Sequence, residues 1–80
     1  MAMKFTRLDS DHWQAGDYRI ERWRAHDRCG VHLQYAASCR GDTLGRYLPE
    51  TLEEARKRCV QHAELEAVRA LRILREEVHP

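Results

Sequence analysis

Apolar and polar side chains alternate in the first half of the chain, and a helical repeat replaces this alternation in the last third. Two stretches, 17–24 and 31–36, alternate with a period of two and are rich in β-branched and aromatic residues, which is typical of strands with one buried face. Four glycines and Pro49 interrupt the chain before residue 51, which leaves no room for an early helix. The side chains predicted to share the core face of the sheet are Tyr18, Ile20, Val31, Leu33 and Tyr35.

Two weaker segments add strands to the predicted sheet. A third strand is predicted from Leu44 to Leu48, after a turn at Arg40-Gly41-Asp42, and a leading strand from Met3 to Leu8. About residues 3–48 are therefore predicted to form an antiparallel sheet of three strands, or of four if the leading strand forms.

The last third of the chain has the pattern of one long amphipathic helix. Thr51-Leu52-Glu53-Glu54 has the form of a capping box, in which Thr51 accepts from the Glu54 N–H and Glu54 reaches back to the cap. No glycine or proline follows until Pro80, so nothing interrupts the helix. We predict one domain over residues 1–80, of α+β class, with a helix at about 51–78 packed on the sheet. The apolar stripe of the helix contains Leu52, Ala55, Cys59, Ala63, Ala67, Ala70, Leu74 and Val78.

The predicted helix is longer than the sheet that it covers. About 28 helical residues span roughly 42 Å, whereas a strand of about seven residues spans roughly 23 Å. The carboxyl-terminal half must then extend beyond the sheet, and its large aliphatic side chains favour burial against a partner. We expect a homodimer, or insertion of this end of the helix into another partner. The predicted dimer interface residues are Leu65, Val68, Leu71, Leu74 and Val78.

The charge balance narrows the classes of partner. The 80 residues include 14 basic and 13 acidic side chains, for a net charge of +1, which argues against an acidic mimic of DNA and against a histone-like basic protein. No apolar stretch reaches the roughly 20 residues of a membrane span, and no signal-peptide pattern follows Met1. We therefore expect the protein in the cytoplasm.

Two cysteine and histidine pairs have a two-residue spacing that resembles half of a zinc site. Cys29 and His32 lie on a predicted strand, where residues three apart point to opposite faces, whereas Cys59 and His62 lie on the helix. Four convergent ligands are therefore not predicted, and the cysteines are expected to be inert thiols. No nucleophile and base form a local motif. We expect no metal, no cofactor and no enzymatic activity.

The most distinctive surface feature is an arginine-rich segment around Trp23. Arginine forms bidentate hydrogen bonds with carboxylates and phosphates, and tryptophan is enriched among interface anchors. The segment therefore suits either an acidic protein surface or a nucleic-acid backbone. The alternative is an ordinary solvated sheet face on which Trp23 covers arginine side chains. The candidate partner-binding residues are Arg19, Arg22, Trp23, Arg24 and Arg28.

Five short motifs resemble, in their order, those of small sheet-then-helix proteins carried by phages and other mobile elements. They are Trp13, Tyr18-Arg19-Ile20, Tyr35-Ala36, Leu44-Gly45 and Thr51-Leu52-Glu53-Glu54-Ala55. Among such proteins the chain is most similar to the anti-CRISPR proteins, with inhibitors of type I Cascade, type I-C among them, as the nearest group. This resemblance implies a non-enzymatic inhibitor in the cytoplasm of the bacterial host cell, which binds CRISPR effector subunits and blocks target DNA binding.

A second resemblance leads to a different class of function. A three-stranded sheet backed by a helix is similar to the arm-DNA-binding domains of phage-type integrases, which lay the sheet in a groove of DNA. Direct DNA binding usually needs a clearly basic domain, which a net charge of +1 does not provide. A dimeric phage accessory protein is the third possibility. The arginines that would contact DNA are Arg19, Arg22, Arg24, Arg40 and Arg46.

Overall fold

The computed structural model describes residues 3–78, with side chains through residue 74. The elements are β1 (Thr6–Asp9), β2 (His12–Ala15), β3 (Tyr18–Asp27), β4 (Gly30–Cys39), β5 (Asp42–Thr43) and α1 (Leu52–Val78). The five strands form one antiparallel sheet in the order of the chain, β1-β2-β3-β4-β5, and the helix follows them. The α+β class is therefore confirmed, and the sheet has more strands than the three or four predicted.

The predicted third strand is wrong. Leu44 to Leu48 form a loop, and the edge of β4 is paired instead by the two residues of β5. Gly45 has a φ of +84°, which breaks an extended strand. Arg58 on the helix donates to the Leu44 carbonyl oxygen at 3.3 Å and to that of Tyr47. The loop is therefore held by a contact from the helix rather than by a neighbouring strand.

The amino-terminal edge of the sheet also differs from the prediction. The leading strand covers Thr6–Asp9 rather than Met3–Leu8. Strand β2 follows it, and the alternation did not predict this strand because its four residues are too few to show a clear period. Trp13 on β2 is nevertheless buried opposite Ile20 on β3. The unpredicted strand thus contributes the largest side chain of the core.

A small core lies between the sheet and the first half of the helix. On the inward face of the sheet, Tyr18 lies opposite Cys39 and Ile20 lies opposite Ala37. A core of this size is near the lower limit for a domain that folds alone. The buried residues of this core cluster are Trp13, Tyr18, Ile20, Ala37, Cys39, Ala55 and Cys59.

The helix begins as the capping box predicts. The Glu54 N–H donates to Thr51 Oγ1 at 3.2 Å, and the first helical residue is Leu52. Just before the helix, the Pro49 carbonyl oxygen accepts from the Tyr35 N–H at 2.8 Å. This backbone bond places the start of the helix beside the middle of β4.

From that point the helix runs alongside β4 in the same direction. Tyr18 Oη lies 2.9 Å from His62 Nδ1, and Arg40 Nη2 donates to Glu66 Oε1 at 3.0 Å. Arg40 directly follows β4, so the sheet ends near Glu66. Every described side chain from residue 67 to residue 74 is exposed. We call residues 67–78 the overhang, and its presence agrees with the length argument from the sequence.

The molecule is elongated, with extents of 61 × 25 × 19 Å. Its radius of gyration is 15.8 Å, whereas a compact domain of this length has one of about 12 Å. The overhang forms one end. The turn between β3 and β4 forms the other end, because the helix starts beside the middle of β4 and runs away from that turn.

Candidate binding surface

The two longest strands continue past the rest of the sheet as a projecting hairpin. Pairing of β3 with β2 ends at Glu21. On β4, among the described residues, the segment from Gly30 to Gln34 forms backbone pairs with β3 alone. From Trp23 to Gln34 the two strands pair only with each other. We call residues 23–34 the arm. Each of its strands has about five residues and spans roughly 17 Å.

Side-chain hydrogen bonds close the turn at the tip of the arm. Asp27 Oδ1 accepts from the Cys29 N–H at 2.7 Å, and Asp27 Oδ2 lies 2.9 Å from His32 Nε2. Gly30 has a φ of +119°, a conformation that favours glycine. These contacts fix the tip, where Arg28 and Cys29 are exposed.

The arm carries large apolar side chains into solvent on both of its faces. Trp23 is 53% exposed, Val31 is 58% exposed and Leu33 is 40% exposed. Val31 and Leu33 do lie on the same side of the sheet as Tyr18 and Ile20, as predicted. The prediction that they belong to the core is wrong, because the helix starts beside the middle of β4 and leaves the arm uncovered.

The five candidate partner-binding residues do not share one face. Alternation along β3 places Arg19 and Trp23 on the open face, the side of the sheet away from the helix, and Arg22 and Arg24 on the opposite side. Arg28 lies in the turn. The arm therefore contains Trp23, Arg24 and Arg28. Arg22 lies at the base of the arm, and Arg19 lies in the part of the sheet whose other face packs on the core. The five residues therefore do not form one continuous surface.

Arg22 anchors the base of the arm to β2. Its Nε donates to Asp11 Oδ1 at 3.0 Å, and its guanidinium carbon lies 5.9 Å from the centroid of the Trp13 ring. The hydrogen bond with Asp11 is the main cause of a raised pKa of Arg22. Because Arg22 is engaged inside the protein, Arg24 is the arginine that this side of the arm presents to solvent.

The open face beside the arm carries two acids next to His12. His12 lies between two carboxylates, with Nδ1 2.8 Å from Asp9 Oδ1 and Nε2 3.5 Å from Glu21 Oε1. The hydrogen bond with Asp9 raises the pKa of His12. The hydrogen bonds that Asp9 accepts from the Asp11 N–H and from His12 lower the pKa of Asp9. These acids occupy the face on which an integrase-like sheet would carry arginines.

The arginines of the DNA-binding alternative are dispersed. Arg40 lies at the end of the sheet away from the arm, where Glu66 accepts its hydrogen bond and Asp17 Oδ2 lies 3.9 Å from its Nη1. Arg46 lies in the loop between β5 and the helix. With Arg19 on the open face, these residues occupy different faces and ends of the molecule and do not form one DNA-binding sheet surface.

The two cysteine and histidine pairs lie far apart in the fold. Cys29 is exposed at the tip of the arm, whereas Cys59 is buried on the side of the helix that faces the sheet, and His62 contacts Tyr18. Within the described part of the chain, no three Cys, His, Asp or Glu residues are grouped to hold a metal ion. Burial raises the pKa of Cys59 to about 11 and that of Tyr18 to about 12. Both groups are therefore protonated near neutral pH, which disfavours Cys59 as a nucleophile.

The predicted dimer residues are exposed but wind around the helix. Leu65, Val68, Leu71 and Leu74 are each at least half exposed. They follow one another at intervals of three residues, and three residues of an α-helix turn through about 300°. The four side chains therefore span roughly 180° of the helix surface. The side chain of Val78 lies outside the described residues.

The sequence contained a signal for the arm that the alternation alone did not reveal. After Ile20, the positions of β3 on the core side are Arg22, Arg24 and His26. A strand that stays in a core keeps apolar residues at such positions. The change from apolar to charged residues marks where β3 leaves the core.

Comparisons with known proteins add no assignment. The chain matches no protein-family model, no curated protein and no solved structure. In the described residues, no helix is long and apolar enough to cross a membrane.

Proposed function

We propose that this protein is a non-enzymatic anti-CRISPR inhibitor that binds a type I Cascade complex in the bacterial host cytoplasm and blocks its binding of target DNA. The arm is the contact surface in this proposal. The observation that supports it is that the arm projects beyond the sheet and that Trp23, at the base of the arm, is 53% exposed. A tryptophan displayed on a narrow ribbon is the kind of side chain that anchors protein interfaces.

The charges of the arm suit an acidic site on the effector. Arg24 and Arg28 are exposed, and the one acid of the arm, Asp27, is already engaged by His32 and by the turn. Arginine pairs well with carboxylates because its planar fork donates two parallel hydrogen bonds. The exposed Trp23 supplies apolar area on the open face, while Arg24 lies on the other face and Arg28 at the tip. The arm therefore combines an anchor with charged contacts on different sides of one ribbon.

Direct DNA binding through the arm is the second candidate. A two-stranded ribbon fits the major groove, and Arg24 and Arg28 are free to approach phosphates. The acids around His12 on the adjoining face oppose a wider DNA contact. The two candidates differ in salt dependence, because affinity for DNA falls steeply with salt as counterions are released.

The test of the proposal is retention of purified type I Cascade, beginning with type I-C, on the immobilised protein. Wild type should retain the complex, and the double variant Trp23→Ser, Arg24→Glu should lose it. Arg46→Glu makes the same charge change on an exposed arginine outside the arm and should retain the complex. Failure of wild type to bind or inhibit any type I complex would overturn the proposal, whereas tight, salt-sensitive binding of wild type to duplex DNA would favour the second candidate.

A further inference from the structure

The face of the helix that packs on the sheet continues uncovered into the overhang. Cys59 is fully buried on this face. At about 100° per residue, Ala70 lies roughly 20° around the helix from Cys59, Leu74 lies roughly 60° away, and Ile73 lies roughly 40° away in the opposite sense. All three are exposed. We call Ala70, Ile73 and Leu74 the stripe, since they extend the core-facing side of the helix past the end of the sheet.

The stripe differs from the apolar residues on the far side of the helix. Leu65 lies roughly 120° and Val68 roughly 180° from Cys59, so both point away from the side that holds the core. Single exposed apolar side chains of this kind are common on protein surfaces. An apolar stripe continuous with a core is different, because the same side of the helix changes from buried to exposed where the sheet ends.

We propose that a second copy of this chain covers the stripe, through antiparallel pairing of the two overhangs. The stripe is on the same side of the helix as the sheet, and this position determines how two helices can pair. Two parallel helices that faced each other through this side would place both sheets in the same space. Antiparallel helices place the two sheets at opposite ends, and they bring the small Ala70 of one copy near the larger Leu74 of the other.

The charges at the two ends of the overhang agree with this arrangement. The last turn of a helix carries the negative end of the helix dipole, and the sequence adds Glu76 and Glu77 there. Antiparallel pairing brings that turn beside Arg69 of the other copy, and Arg69 is exposed. One chain thus supplies both halves of the interaction, as a two-fold interface requires.

The geometry also sets the strength and shape of the dimer. The overhangs can overlap along about 12 residues, or roughly 18 Å, which is small for a stable interface. The dimer should therefore dissociate on dilution. With a chain 61 Å long and this overlap, the dimer is a rod of about 100 Å with one arm at each end. This inference does not depend on the proposed function.

Sedimentation equilibrium of the full chain at several concentrations tests the proposal. Wild type should show a monomer–dimer equilibrium. The double variant Ala70→Glu, Leu74→Glu should raise the dissociation constant at least about tenfold, because charges would be buried in the interface. The matched control Leu65→Glu, Val68→Glu adds the same charge to the far side of the helix and should change the constant less than about twofold. Circular dichroism establishes that both variants keep their helix.

Three outcomes would overturn the inference. Wild type that stays monomeric at every concentration has no such interface. If the control variant dissociates the dimer as strongly as the stripe variant, the interface is not confined to the side of the helix that carries the stripe. A dimer whose maximum dimension by small-angle scattering stays close to the 61 Å of one chain is not formed by antiparallel pairing of the overhangs.

Discussion

The guanidinium carbon of Arg22 lies 5.9 Å from the centroid of the Trp13 ring, and the Arg22 Nε donates to Asp11 at 3.0 Å. These contacts join the base of the arm to β2. We expect Arg22→Ala to lower the thermal midpoint by a few degrees, because it removes a hydrogen bond and the stacking over a buried ring. Arg24→Ala, one pleat further along the same side of β3, should leave the midpoint unchanged. Equal midpoints for the two variants would contradict this role of Arg22.

The core depends strongly on Ile20. Ile20 and Cys59 are the largest fully buried side chains, and Ile20 is the larger of the two. In the sheet register Ile20 lies between Trp13 and Ala37. Ile20→Ala should lower the free energy of unfolding by about 3 kcal/mol, and Ile20→Val by about 1 kcal/mol, because each leaves a cavity in proportion to the methyl groups removed. Urea denaturation followed by circular dichroism measures both values. A loss below about 1 kcal/mol for Ile20→Ala would show that the core is not closed around this residue.

The pair of His12 and Asp9 predicts a pH-dependent contribution to stability. The pKa of His12 is raised above its ordinary value of 6.5, so the folded state favours the charged ring. Its stabilisation is fully present below the unfolded pKa and is lost as the pH rises through the folded pKa. The difference in thermal midpoint between wild type and His12→Gln should therefore be larger at about pH 5.5 than at about pH 8. A difference that grows toward alkaline pH would contradict the assignment.

The register of the arm can be tested with proline. The Tyr35 N–H points away from β3 toward Pro49. Because N–H directions alternate along a strand, the Val31 N–H also points away from β3. The His32 N–H points toward β3, where His32 is paired with Ala25. Val31→Pro should leave the ladder intact, and His32→Pro should break one of its hydrogen bonds. Amide hydrogen exchange in the arm should increase only for His32→Pro. Increased exchange in both variants, or in neither, would refute this register.

The helix could be predicted almost completely because its signals are local. Thr51 and Glu54 define its start within one turn, and the absence of glycine and proline lets it continue. The side of the sheet on which Val31 and Leu33 lie was equally predictable, since alternation alone determines it. Their exposure was not predictable in this way, because it depends on where the helix begins relative to β4.

Of the remaining errors, one has a long-range cause and one a local cause. The loop after β5 owes its shape to Arg58, which lies on the helix and bonds the carbonyl oxygens of Leu44 and Tyr47. The separation of Arg22 from Trp23 follows from strand alternation, but the grouping of the arginines along the sequence concealed it. Adjacent residues of a strand lie on opposite faces, so a cluster in sequence is not a cluster in space.

We propose that the arm binds a type I Cascade complex and stops it from binding target DNA. The most direct measurement is a titration of purified type I-C complex, at fixed labelled target DNA, with wild type, with Trp23→Ser and with Arg46→Glu as the matched surface control. Wild type and Arg46→Glu should abolish DNA binding at a fixed stoichiometric ratio, while Trp23→Ser should do so only at much higher concentration. Full inhibition by Trp23→Ser at the wild-type ratio would contradict the role of the arm, and no inhibition by wild type of any type I complex would contradict the function itself.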